Sequence, residues 1–260
     1  MKKTLIAMAV AASAAVSGSV MAWTQNGTGG SVDLSGTLTP VEKVTPWEVK
    51  IGQAVTNLDA LVQKGQSSID LLVKEAIPVL GIRTQEAKAF SGKPGISPQI
   101  DFRGTVNLNG FSGGLSTLTL EVKDNNDQKI GTLSVPFAVG SAGSVAKNGV
   151  PQDQWRLIAP TAGNTFYGGL PTNESGVPTS AWGMAATVFE EAAMHYQTQG
   201  VTYWGAVRGL STEDPSLTYS AYYASGIQAG AKAKINLDAP ATGDAAIAWK
   251  ASLPVTVHYQ

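Results

Sequence analysis

The sequence predicts an all-β sandwich carrying one helical insertion. Period-two apolar alternation recurs in short stretches along the chain, and turn-forming residues separate these stretches. Helical spacing is confined to one segment, 178–200. The last eight residues, LPVTVHYQ, show the strand pattern most plainly. Leu253, Val255, Val257 and Tyr259 alternate with Pro254, Thr256, His258 and Gln260, which marks one buried face. Chain ends fray unless something ties them down, so a strand this regular implies a partner.

The elements follow in order. Lys2 and Lys3, an apolar run over 5–16 and small residues over 17–22 read as a secretory signal peptide spanning 1–22. The run is too short and too rich in Ala and Ser to span a bilayer. Removing these 22 of 260 residues leaves a mature chain of 238, enough to bury a core without covalent staples. Asn26, Gly27, Gly29 and Gly30 form a flexible leash. Then Val32, Leu34, Gly36 and Leu38 alternate with polar residues until Pro40 ends the strand. Further strands are predicted at 47–52, 67–73 and 77–84, with one or two more over 99–108. A hairpin is predicted over 115–140, turning at DNND. The helix over 178–200 has Thr179 or Ser180 as its N-cap and Gly200 as its stop, with Trp182 on the core face. Alternation resumes over 216–240, and the closing strand starts near Ala246.

Much chemistry is excluded. The chain has no cysteine, so thiol catalysis, disulfides and zinc-thiolate sites are absent. Without the leader, 16 basic face 19 acidic side chains, and no basic block suggests nucleic acid as a partner. Charged residues are only 14% of the chain, a low density that suits packing beside copies of itself. Of two histidines, His258 lies on the polar face of its strand and is read as solvated. His195 lies one helical turn from Glu191 and is expected to pair with it. Glu190 and Glu191 are adjacent, so they diverge on a helix. The 124–127 acidic turn lacks the glycine and distal glutamate of a calcium loop. The glycine pairs at 113–114 and 168–169 lack the context of a phosphate loop. These residues give no catalytic, metal or cofactor site, and the chain is read as a non-enzyme.

Pattern alone leaves the first strand two homes: its own sheet, or a groove in a neighbouring copy. A sandwich lacking an edge strand would expose unpaired backbone and apolar pockets, and a donated strand could fill them. The residues that bear on this choice run from end to end: GSVDLSGTLT (30–39), WEVKIG (47–52), LGIRTQEAKAF (80–90), GTLSVPFAVG (131–140), FYGGLP (166–171), SAYYASGIQAG (220–230) and LPVTVHYQ. Through them the chain resembles the FaeG-like major subunits of chaperone–usher fimbriae, and among those the capsule-like surface-antigen (ClpG-like) type.

That resemblance implies an incomplete immunoglobulin-like sandwich whose last strand is supplied in trans. A periplasmic chaperone would lend the strand first. At the outer-membrane usher, the N-terminal extension of the next identical subunit would replace it. Carried over, Val32, Leu34, Gly36 and Leu38 are the donor strand, and Leu253, Val255, Val257 and Tyr259 form the groove edge and chaperone contact. One departure concerns Ile247, which stands where many of the wider superfamily have glycine. The implied division is a signal peptide at 1–22, a donor extension at 23–39 and a pilin domain at 40–260 with an insertion at about 141–215. The product would be exported through the periplasm to a surface fimbria and would bind host glycans. Within the insertion, Trp155, Arg156, Tyr203, Trp204 and Arg208 are the candidate glycan contacts, because an aromatic ring can cover the apolar face of a sugar. The competing reading is a self-contained secreted carbohydrate-binding protein with its first strand paired internally. An outer-membrane barrel fits the short strands and helical middle poorly.

Overall fold

The computed structural model describes residues 34–39 and 44–260. The chain divides into two units, 1–43 and 44–260. The expected signal peptide, the leash and Val32 lie outside the described residues. In the first unit, 34–39 carry no regular secondary structure and are exposed throughout.

The second unit is built from twelve strands: β1 (Trp47–Ile51), β2 (Ser68–Leu72), β3 (Ile77–Thr84), β4 (Phe90–Ser91), β5 (Pro98–Asp101), β6 (Leu115–Lys123), β7 (Lys129–Lys147), β8 (Val150–Arg156), β9 (Leu217–Ile227), β10 (Lys232–Leu237), β11 (Lys250–Ala251) and β12 (Thr256–Tyr259). One α-helix, α1 (Ala181–Val188), stands between β8 and β9. The all-β class and the single helical patch are as the sequence predicts. No helix among the described residues is long and apolar enough to cross a membrane.

The larger sheet runs β1-β3-β9-β7-β10-β2, with β6 and β8 also on β7, β4 on β9 and β11 on β6. A smaller sheet pairs β12 with β5. All the ladders are antiparallel. β7 organises the large sheet. Residues 131–134 lie between β6 and β10, and 142–147 between β8 and β9. Its first half alternates buried and less buried positions. From 138 to 146 every residue is buried, because there both faces are covered. One core unites Trp47, Ile82, Ile100, Phe102, Leu118, Phe137 and Tyr223. A smaller one joins Ala138 and Ala142 of β7 to Ala181, Ala185 and Val188 of α1.

That smaller core explains why the helix is shorter than predicted. A Cβ on Gly140 would lie 2.5 Å from the Ala181 carbonyl oxygen, so α1 approaches β7 too closely for anything but small residues. Ser180 caps it, its side chain accepting from the Gly183 amide at 3.0 Å. Phe189 then leaves helical geometry at φ −159°. Its ring and Ala192 pack against Gly81 of β3, where a Cβ would meet both at 3.1 Å. A 3₁₀ turn over Glu190–Ala193 follows. Trp182 is not core: the row facing β7 is alanine, and Trp182 stays 46% exposed, edge-on to Tyr222. His195 does not pair with Glu191 either. With the helix ended, its Nδ1 lies 2.6 Å from the Thr84 carbonyl oxygen and 4.0 Å from Glu48. Glu191 instead pairs with Lys50 of β1 at 2.5 Å.

Candidate assembly site

The C-terminal strand shows the alternation read from its sequence. From 251 to 260 the burial pattern strictly alternates, with Ala251, Leu253, Val255, Val257 and Tyr259 turned inward and the intervening residues, His258 among them, exposed. The inward row packs on the main core yet is only partly buried. Its neighbour on one side is β5, in a register that sets Val257 opposite Ile100 and Tyr259 opposite Pro98. Gln260 and Ser97 exchange both backbone hydrogen bonds at 3.1 Å.

The far edge of β5 is already occupied. The Ile100 amide donates to the Tyr167 carbonyl and the Phe166 amide to the Pro98 carbonyl, both at 2.7 Å. This is the FYGGLP loop, and its glycine has a geometric reason. Gly168 has φ +82°, and a Cβ there would lie 2.0 Å from the Ile100 carbonyl oxygen. β12 therefore borders the small sheet, and among the described residues it pairs with β5 alone.

Across from it lies β1, which borders the large sheet and pairs only with β3 among the described residues. The two borders meet at one end. The Thr45 side chain lies beside the Tyr259 hydroxyl, and burial pushes the Tyr259 phenol above its ordinary pKa. Trp47 anchors the same corner, its indole N–H donating to the Ile96 carbonyl at 2.7 Å. Far along the chain the borders meet again. Gly65 donates to the Ala241 carbonyl at 2.7 Å, and Lys64 forms an ion pair with Asp244.

As one border runs from 45 to 64, the other thus returns from 259 to 244, antiparallel to it. Between these end contacts no hydrogen bond joins the two among the described residues. Apolar side chains line this open seam. Val49, Ile51, Val55 and Leu61 are 39%, 52%, 41% and 100% exposed on one side, and Ile247 is 43% exposed on the other. The sequence reading found the β12 row and missed the opposing one. The signal was there in Trp47, Val49 and Ile51, a period-two row whose first member is core and whose next two are uncovered.

In the first unit, Leu34 and Leu38 are 93% and 97% exposed, and a Cβ on Gly36 would meet nothing within 4 Å. Leu34, Gly36 and Leu38 keep the period-two spacing of the row.

The candidate glycan residues separate. Trp155 is buried, donating its indole N–H to the Arg208 carbonyl at 3.1 Å, with the Arg208 guanidinium stacked 3.9 Å above its ring. Arg208 also pairs with Asp153 at 2.8 Å. Arg156, the next residue on β8, faces the other way and donates to the Pro178 carbonyl at 3.1 Å. Tyr203 and Trp204 are 58% and 52% exposed. Their loop is latched to β8 by the Tyr203 hydroxyl on the Gln152 carbonyl and the Gly205 amide on the Gln154 carbonyl. A depression of about 240 Å³ opens beside Asp153, Trp155 and Arg208. No cluster of metal-ligating side chains occurs among the described residues.

Comparison with known proteins places this architecture. The family model described as "Fimbrial, major and minor subunit" matches residues 1–260. K88 fimbrial protein AB of Escherichia coli is 31% identical over the full length of both chains. F41 fimbrial protein of Escherichia coli is 28% identical, again over the full length of both. K88 fimbrial protein AD of Escherichia coli is 36% identical over 66% of this chain and 65% of its own. The all-β fold agrees with this end-to-end match: the chain belongs to the fimbrial major and minor subunit family, as a non-enzymatic structural protein of the cell surface.

Proposed function

We propose that the chain is the repeating subunit of a capsule-like surface fimbria and polymerises by donor-strand exchange. In this reading 1–22 is removed on export and 23–39 is the donor extension. The domain at 40–260 offers a groove between β1 and β12, filled first by a periplasmic chaperone and then, at the usher, by Val32, Leu34, Gly36 and Leu38 of the next copy. The observation that carries it is the half-buried row Leu253, Val255, Val257 and Tyr259, on a strand with one paired edge facing an open apolar seam. A protein that kept such a border uncovered would aggregate through it. Supplying a strand removes the hazard and couples subunits in one step.

The test is a subunit lacking 23–39. It should still be recovered in complex with its chaperone, since the groove is intact, but form no fibres. Fibres assembled from that variant alone would overturn the reading.

We further infer that the insertion at 141–215 contacts host glycans, through Tyr203 and Trp204 above all, since these two rings are half exposed on a loop latched to β8. Arg208 would add a polar edge, with Trp155 beneath it and Arg156 on the opposite face of β8. Fimbriae carrying Tyr203→Ala and Trp204→Ala should assemble normally and lose adherence to glycan-bearing cells. Unchanged adherence would remove this part of the proposal.

A further inference from the structure

Residues 53–62, which join β1 to β2, are distinctive. They form one side of the seam below Ile51, and nine of the ten are exposed or nearly so in a stretch reading Gln-Ala-Val-Thr-Asn-Leu-Asp-Ala-Leu-Val. Leu61 is fully exposed, and Val55 and Val62 are 41% and 37% exposed. Among the described residues no backbone–backbone hydrogen bond involves any of the ten. The last before them is from the Gly52 amide to the Val79 carbonyl, and the next is from the Gln66 amide to the Gln63 carbonyl. A connecting loop is ordinarily polar and carries turn residues. This one has neither proline nor glycine and carries exposed apolar side chains, which marks a surface awaiting a partner.

The opposite side of the seam is similar. Residues 242–249 have no regular structure, and Ile247 is 43% exposed. The lower limit is the Lys64–Asp244 ion pair. The seam is therefore longer than the donor row. Seven residues, 32–38, span about 23 Å when extended, which matches the seven residues 253–259. The ten residues 53–62 lie beyond that length.

We propose that 53–62 is a second subunit–subunit contact, covered in the fibre by the same neighbouring copy whose donor segment lies in the groove. The proposal rests on the donor-strand reading and extends it. The occupant is a second copy because the stretch is continuous with the donor groove: the backbone passes from Ile51, on the groove side of β1, into 53–62 without a turn. A donor segment leaving the groove at that end would carry the body of its own subunit against Val55 and Leu61. The contact would make each junction stiffer than a strand held on a free linker.

The chain lacks cysteine, so single cysteine variants report one position each. Val55→Cys and Leu61→Cys replace exposed side chains and should fold normally. Val257→Cys reports on the donor groove, and Val150→Cys, at the exposed start of β8, serves as the reference. Each full-length variant is treated with a maleimide in two states, the chaperone-bound subunit and the assembled fibre. From the chaperone-bound subunit to the fibre, labelling at 55 and 61 should slow by more than about tenfold relative to 150, whereas 257, covered by the chaperone strand and then by the donor, should label slowly in both states. Unchanged labelling at 55 and 61 with protection at 257 would overturn this inference and leave the donor reading standing. Labelling at 257 as fast as at 150 in both states, with 55 and 61 also unchanged, would overturn both.

Discussion

Replacing Leu38 with alanine should weaken the hold of one subunit on the next by about 2.4 kcal/mol, three carbons at ~0.8 kcal/mol each. The side chain is 97% exposed in the isolated chain, so nearly all its area is available to be buried on docking. It contributes little to the stability of its own domain, which separates an assembly defect from a folding defect. At about 1.4 kcal/mol per factor of ten, the change is roughly 50-fold in the exchange constant. Leu34→Ala should behave alike, being 93% exposed on the same row. Thr37 lies on the opposite face, and Thr37→Ala should stay within about 0.5 kcal/mol. The assay is equilibrium displacement of chaperone from the subunit lacking 23–39, using peptides that span 30–39 and carry each substitution. If the two leucine peptides compete as well as the Thr37→Ala peptide, the alternating row does not enter the groove and the reasoning fails.

Other expectations follow from separate contacts. Trp155→Ala should cost about 3–5 kcal/mol of domain stability because it empties a buried site, whereas Trp204→Ala should change thermal unfolding by less than about 0.5 kcal/mol. Ser180→Ala removes the acceptor for the Gly183 amide and should lower stability by about 0.5–2 kcal/mol, read from chemical denaturation. The Lys50 ammonium, by hydrogen bond and charge, holds the Glu191 carboxyl below its usual value of 4.5. A depressed folded pKa means the link is present above that value and lost as pH falls through the folded one. Hydrogen exchange in the Glu190–Ala193 turn should therefore accelerate in acid relative to the rest of the domain, and Glu191→Gln should remove that dependence.

The last strand was legible because period two is a local property: each residue of 253–259 faces in or out by its position alone. The same holds for β2 and the β6–β7 hairpin, whereas β1 is exposed at every position after Trp47 and β3 holds a run of four buried residues, so neither alternates. The helix was overextended because apolar spacing cannot report that Phe189 and Ala192 would be drawn onto Gly81, a residue more than a hundred positions away. Ending the helix there also redirected His195 to Thr84 and Glu191 to Lys50. Trp182 was misplaced for a related reason. The face of α1 was judged by hydrophobicity, but the gap over Gly140 admits only alanine.

By itself the sequence determined most of the strands, the inward face of the last one and the kinship with fimbrial subunits, since these are written in residue order; it did not show β8, which falls within the stretch read as the insertion. Only the tertiary structure decided what the faces meet. It set β12 beside β5, brought Tyr259 next to Thr45, and left the rows of β1 and β12 facing one seam with no strand of the described chain between them. Strand partners are fixed by contacts between residues far apart in sequence, and alternation carries no information about distance along the chain.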